Sequence, residues 1–143
     1  MGVTVSGHAV SGSGGGIWAS ATPLVLRASF VLRDTAAVQG GGILAAGDSL
    51  LVVSSVVAGN HSTGLGGGIY TSNGTVRLQN ATVASNNGSY ASGVYALQPG
   101  AGSEVRNSVL AHNVFGGWVT GGGAPPAADY NLWWGNGGLD YLG

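Results

Sequence analysis

Three glycine triplets, each followed by isoleucine, recur along the chain as Gly14-Gly15-Gly16-Ile17, Gly40-Gly41-Gly42-Ile43 and Gly66-Gly67-Gly68-Ile69. The isoleucines stand 26 residues apart, and a degraded copy, Ser92-Gly93-Val94-Tyr95, follows 25 residues after the last of them. A fixed period in this range marks units that cannot bury an apolar face alone and must stack on their neighbours. Few other features constrain the fold so strongly.

Aligning the copies shows which residues share a column. Leu24, Leu50 and Val76 correspond, as do Leu26, Val52 and Leu78, and then Val31, Val57 and Val83. Asp34, Asn60 and Asn86 follow that last set at a constant distance, and a fourth copy keeps the end of the unit in Val105 to Asn113. Residues 118–143 form a degenerate terminal coil that retains Trp133 in the apolar place and Asn136 in the asparagine column. At the opposite end, Val3, Val5 and Val10 match Val76, Leu78 and Val83 at an offset of 73.

Within a unit the apolar alternation has period two, as in Val76-Arg77-Leu78-Gln79, so the short segments are strands with one face inward. Helical spacing is absent. The pattern predicts an all-β fold, a single right-handed parallel β-helix of about five coils of about 26 residues spanning 1–143. Ile17, Ile43, Ile69 and Val94 are expected in one core column, and Val31, Val57, Val83 and Leu110 in another. The glycines are expected to allow positive φ and close approach between coils. Asn60, Asn86, Asn113 and Asn136 are expected to turn into a bend and bond the backbone of adjacent coils, with Asp34 as the end of that column nearest solvent.

The repeats closely resemble the glycine-glycine-alanine-isoleucine and phenylalanine-x-x-asparagine repeats of the polymorphic outer-membrane protein and autotransporter-adhesin group. More broadly they are similar to bacterial right-handed β-helix proteins of the pectin-lyase-like superfamily. The glycine triplets carry the resemblance together with Val57-Ala58-Gly59-Asn60, Val83-Ala84-Ser85-Asn86 and Leu110-Ala111-His112-Asn113. Val or Leu stands where that family has Phe. The resemblance implies a secreted or surface-exposed protein and a non-catalytic, adhesin-like role as spacer or contact surface. The alternative it leaves open is the remote end of a polysaccharide lyase or hydrolase whose catalytic coils lie outside this chain.

Composition narrows the chemistry. With four Lys and Arg residues against five acids and a formal net charge of −1, the chain has no basic face to neutralise phosphates, so nucleic acid and anionic membrane are disfavoured partners. It contains no cysteine and hence neither disulfides nor thiolate metal sites. No apolar run has the length of a membrane span. Met1 to Gly7 enters strand-like alternation directly rather than a basic and apolar signal segment, so the chain reads as part of a longer β-helix, with further coils of its parent at the ends.

Asp34, Asp48, Glu104, Asp129 and Asp140 never share a column on adjacent coils, and no lysine is available as a base, so no catalytic residue, metal or cofactor is expected. His8, His61 and His112 fall at unmatched places in their units, which disfavours a shared metal site. Asn60-His61-Ser62, Asn73-Gly74-Thr75, Asn80-Ala81-Thr82 and Asn87-Gly88-Ser89 fit the glycosylation sequon, as composition alone accounts for. The sharper feature is the outward column after each inward isoleucine, Trp18, Leu44, Tyr70, Tyr95 and Val119. Trp18, Tyr70 and Tyr95 would there form an aromatic platform for a surface polysaccharide or another protein, unless they simply pack across strands.

Overall fold

The computed structural model describes residues 2–138 and 140–142, and among them every regular element is a strand. The strands stack into a parallel β-solenoid of about five turns. At strand spacing of roughly 4.8 Å, such a stack is a rod about 25 Å long.

Each coil contributes one strand to each of three long sheets. The first sheet contains Ile17–Ser20, Ile43–Ala46, Ile69–Ser72, Val94–Leu97, Trp118–Gly121 and Tyr141–Leu142. The second contains Leu24–Arg27, Leu50–Val53, Val76–Gln79, Glu104–Arg106 and Ala127–Asp129, and the third contains Thr4–Ser6, Phe30–Leu32, Val56–Ala58, Thr82–Ala84, Val109–Ala111 and Leu132–Trp134. A short fourth sheet joins Ala9–Val10, Thr35–Ala36 and His61–Ser62.

Parallel, in-register pairing puts like residues over like. Ile17 pairs with Ile43, Ile43 with Ile69, Ile69 with Val94, and Val94 with Trp118. Val31, Val57, Val83, Leu110 and Trp133 form the expected second column. These columns make one continuous core in which Ile43, Val57, Ile69, Val83 and Trp118 are fully buried. The opening residues depart from the alignment proposed at an offset of 73. Val5 pairs with Val31, and Thr4 with Phe30, so the first strand belongs to the third sheet rather than the second. The valine spacing alone favours the other register, since Val10 falls on Ala36 in the observed one, and only the pairing above a complete coil selects between them.

The corners on either side of the third sheet share one device. A single left-handed residue turns the chain, as at Ser54 (φ 48°) and Asn80 (φ 51°) before the sheet, or Gly59 (φ 65°) and Ser85 (φ 56°) after it. The side chain that follows then points into the bend. After the sheet these side chains build the asparagine ladder. Asn86 Oδ1 accepts from the Asn60 backbone N–H at 3.0 Å and from Asn60 Nδ2 at 3.1 Å, while Asn86 Nδ2 donates to the Val57 carbonyl at 3.0 Å. Asn113 repeats this toward Asn86, and Asn136 toward Asn113. Asn60, Asn86 and Asn113 are buried.

The third glycine of each triplet exists for this ladder. A Cβ on Gly42 would stand 2.8 Å from Asn60 Nδ2, and one on Gly68 would stand 2.8 Å from Asn86 Nδ2. The glycine and asparagine motifs are thus two halves of one packed corner.

Candidate functional site

Because inward side chains are spent on the core and ladders, any ligand must meet the outward columns or the corners. The expected aromatic column exists in register: Trp18 pairs with Leu44, Leu44 with Tyr70, Tyr70 with Tyr95, and Tyr95 with Val119. It does not form an accessible stripe. Trp18 is 70% exposed, but Leu44 is 6% and Tyr70 7% exposed, and Tyr95 is only partly open.

The cover comes from the preceding bends. Tyr70 stacks on Tyr95 with centroids 5.7 Å apart, Tyr90 packs edge-on against Tyr95 at 6.1 Å, and Leu65 bridges to Tyr90. Burial, reinforced by the neighbouring Tyr95 phenol, holds the Tyr70 hydroxyl above its ordinary pKa, against a side-chain bond from Gln39 that pulls the other way. Tyr70 and Tyr95 therefore belong to a covered aromatic cluster, and of the three platform residues Trp18 alone stands in the open.

The asparagine ladder has ends that the sequence reading placed differently. Asp34 was expected near solvent, yet it is fully buried; its Oδ1 accepts from the His8 backbone N–H at 2.9 Å and lies 3.0 Å from His8 Nδ1. His8 thus stands in the column as its first member, one period above Asp34, which corrects the reading that no histidine matched a repeat position. Asp34 Oδ2 occupies the place that Nδ2 takes in the lower rungs, and among the described residues it has no partner. At the other end Asn136 Nδ2 donates to Asp140 Oδ1 at 2.9 Å, so a carboxylate receives the last amide.

A second ladder, at the corner between the second and third sheets, was missed. The Ser29 N–H donates to Ser55 Oγ at 3.0 Å, the Ala81 N–H to Ser108 Oγ at 3.1 Å, and the Ser108 N–H to Asn131 Oδ1 at 2.9 Å. Its signal was the recurrence of serine at 29, 55 and 108, interrupted by Ala81.

The outer face of the second sheet gathers most of the charge. Of nine charged side chains in the chain, Arg27, Arg77, Glu104, Arg106 and Asp129 lie in its two outward columns. Arg106 Nε sits 3.1 Å from Glu104 Oε2, with its Nη2 3.8 Å from Asp129 Oδ2, and Gln79 Nε2 donates to Glu104 Oε1 at 2.5 Å. Arg27 and Arg106 share one outward column, with Val53 and Gln79 between them. Toward the N-terminal coils this face becomes apolar and opens into a shallow depression of about 240 Å³ lined by Val25, Ser49, Leu50, Leu51, Thr75 and Arg77. Apolar floor, hydroxyls and a guanidinium together are the ingredients of a small polar-apolar contact site, although the depression is open rather than enclosed.

Among the described residues no three His, Cys, Asp or Glu side chains converge as a metal site would require, and no helix is long and apolar enough to cross a membrane. No family model matches the chain, and comparison with curated proteins and with solved structures likewise returned no match.

Proposed function

We propose that the chain is a non-catalytic, rod-forming segment of a secreted or cell-surface adhesin-like protein, of the kind its glycine and asparagine repeats resemble, and that it serves as spacer and contact surface. The observation that supports this reading most is the ladder of inward side chains from Asp34 to Asn136. It commits the chain's recurring polar groups to holding coil on coil, which suits a stiff rod better than a reaction centre. Among the charges on the second sheet, Arg106 is likewise partnered, with Glu104 in its own strand and Asp129 in the next.

Contact would fall on the outer face of the second sheet, where the Val25 and Leu51 floor meets Arg77. A surface polysaccharide or a partner protein would find there apolar area with a few orienting polar groups. The test is retention of the purified chain on a panel of neutral and acidic surface polysaccharides, with product release followed in the same samples. Retention that is weakened by Arg77→Ala and by Leu51→Asp, without release of fragments, is the expected outcome. Both side chains face outward, so these variants leave the core columns intact. Release of unsaturated or reducing-end products would overturn the non-catalytic reading in favour of the lyase or hydrolase alternative.

A further inference from the structure

The chain contains three Asn-Gly pairs, Asn73-Gly74, Asn87-Gly88 and Asn136-Gly137, and the fold treats them differently. An Asn-Gly pair can cyclise: the backbone nitrogen of glycine, losing its proton to solvent base, attacks the asparagine Cγ, a C–N bond forms, and ammonia leaves. Water then opens the resulting succinimide at either carbonyl, giving aspartate or isoaspartate. The reaction needs a free glycine N–H and an untethered asparagine side chain.

Two pairs lack those conditions. The Gly88 N–H donates to Ser92 Oγ at 3.0 Å in a buried setting. The Gly137 N–H donates to the Asn113 carbonyl at 2.8 Å, and the Asn136 amide is engaged at both ends by Asn113, Leu110 and Asp140. At the third pair Asn73 is exposed, its backbone N–H donates to the Leu97 carbonyl, and among the described residues no acceptor takes the Gly74 N–H.

The local fold explains why this pair stands here. Position 73 is a left-handed corner (φ 56°), equivalent to Gly47 (φ 79°) and Gln98 (φ 48°) in the flanking coils, and asparagine tolerates that conformation. Position 74 must be glycine because a Cβ would collide with the Asp48 carbonyl of the coil above. This corner thus accommodates the dipeptide that cyclises most readily and leaves its nucleophile unshielded. We propose that Asn73 is a self-modification site of the folded chain, converting through succinimide to aspartate and isoaspartate while Asn87 and Asn136 are protected. The product adds a negative charge two residues before Thr75, on the rim of the depression that Arg77 lines.

The test is to age the folded chain in mildly alkaline buffer and, in parallel, the chain unfolded in denaturant. Peptide mapping by mass spectrometry follows conversion at each site, and labelling by an isoaspartate-specific methyltransferase identifies the isomer. Unfolded, all three pairs should convert at similar rates; folded, Asn73 should convert at least about tenfold faster than Asn87 or Asn136, whose glycine N–H bonds must first break. Asn73→Gln should abolish labelling of the folded chain, and Asn87→Gln should leave it unchanged. Comparable folded rates at all three sites, or an Asn73 that stays intact while the unfolded chain converts, would overturn the proposal.

Discussion

Asp34 occupies the one rung of the ladder where an acid replaces an amide, and its environment was built for the amide. In the rung below, Asn60 Nδ2 donates to the Val31 carbonyl and to Asn86 Oδ1. At Asp34 the equivalent atom is the unpartnered Oδ2, facing the coil in which Val5 overlies Val31. Asp34→Asn supplies a donor to a buried site that lacks one and keeps the Oδ1 acceptor for His8, so it should stabilise the chain by about 1 kcal/mol. A denaturant midpoint that falls in this variant would show that the carboxylate is better satisfied than its geometry indicates. Tyr70 gives a second residue-level expectation. Its pKa is raised on folding from 10.0, so the folded state holds the phenol proton more tightly than the unfolded chain does. Its contribution is fully present below about pH 10 and is lost as pH rises through the elevated folded value. Tyr70→Phe should flatten the loss of stability in that alkaline window, measured as denaturant midpoint against pH.

At the scale of the element, the unit of construction is a corner shared by adjacent coils rather than a strand. Asn86 closes four bonds: it accepts from the Asn60 N–H and Nδ2 and donates to the Val57 carbonyl and Asn113 Oδ1. Asn86→Leu would remove all four, leaving the Asn60 N–H without its acceptor in a buried bend, and would crowd Gly68, which already lies too close to Asn86 for a Cβ. The expected cost is on the order of 3 kcal/mol, read from thermal or denaturant unfolding. A loss below about 0.5 kcal/mol would mean that water replaces the amide, and the ladder would be a consequence of the corner rather than its support.

The whole molecule inherits the one-dimensional energetics of a stack. Coil touches only neighbouring coil, so stability is a sum of nearest-neighbour interfaces, and about three repeats are needed to hold together. With about five turns, a defect in the second unit leaves fewer coils than that on its N-terminal side and only about three beyond it. Val57→Asp buries an unpaired charge in the second unit, where Val57 is fully buried between Val31 and Val83. It should unfold several coils and leave most of the chain open to protease. Trp133→Asp, in the partly open terminal coil, should fray that coil and leave the rest resistant to limited protease. Equal protease sensitivity in the two variants would argue for a single cooperative core instead of a stack.

How much of this was legible in the chain follows from which interactions are periodic. Alternation along Val76 to Gln79 and the recurrence of Ile43 and Ile69 determine the strands, the inward columns and the stacking, because an in-register parallel stack places each residue on its own repeat copy. The inward asparagines were legible for the same reason, whereas the serine ladder was obscured by one substitution at Ala81. What only the tertiary structure decided are the aperiodic terms. Tyr70 is covered by groups that include Gln39 and the Tyr95 ring, which lie in other coils, so alternation alone does not report its burial. The ladder's ends are closed by His8 and Asp140, neither of them an asparagine of the repeat. A repeat specifies its interior because every copy faces the same neighbours, but it cannot specify its surface or its ends, where the neighbours differ.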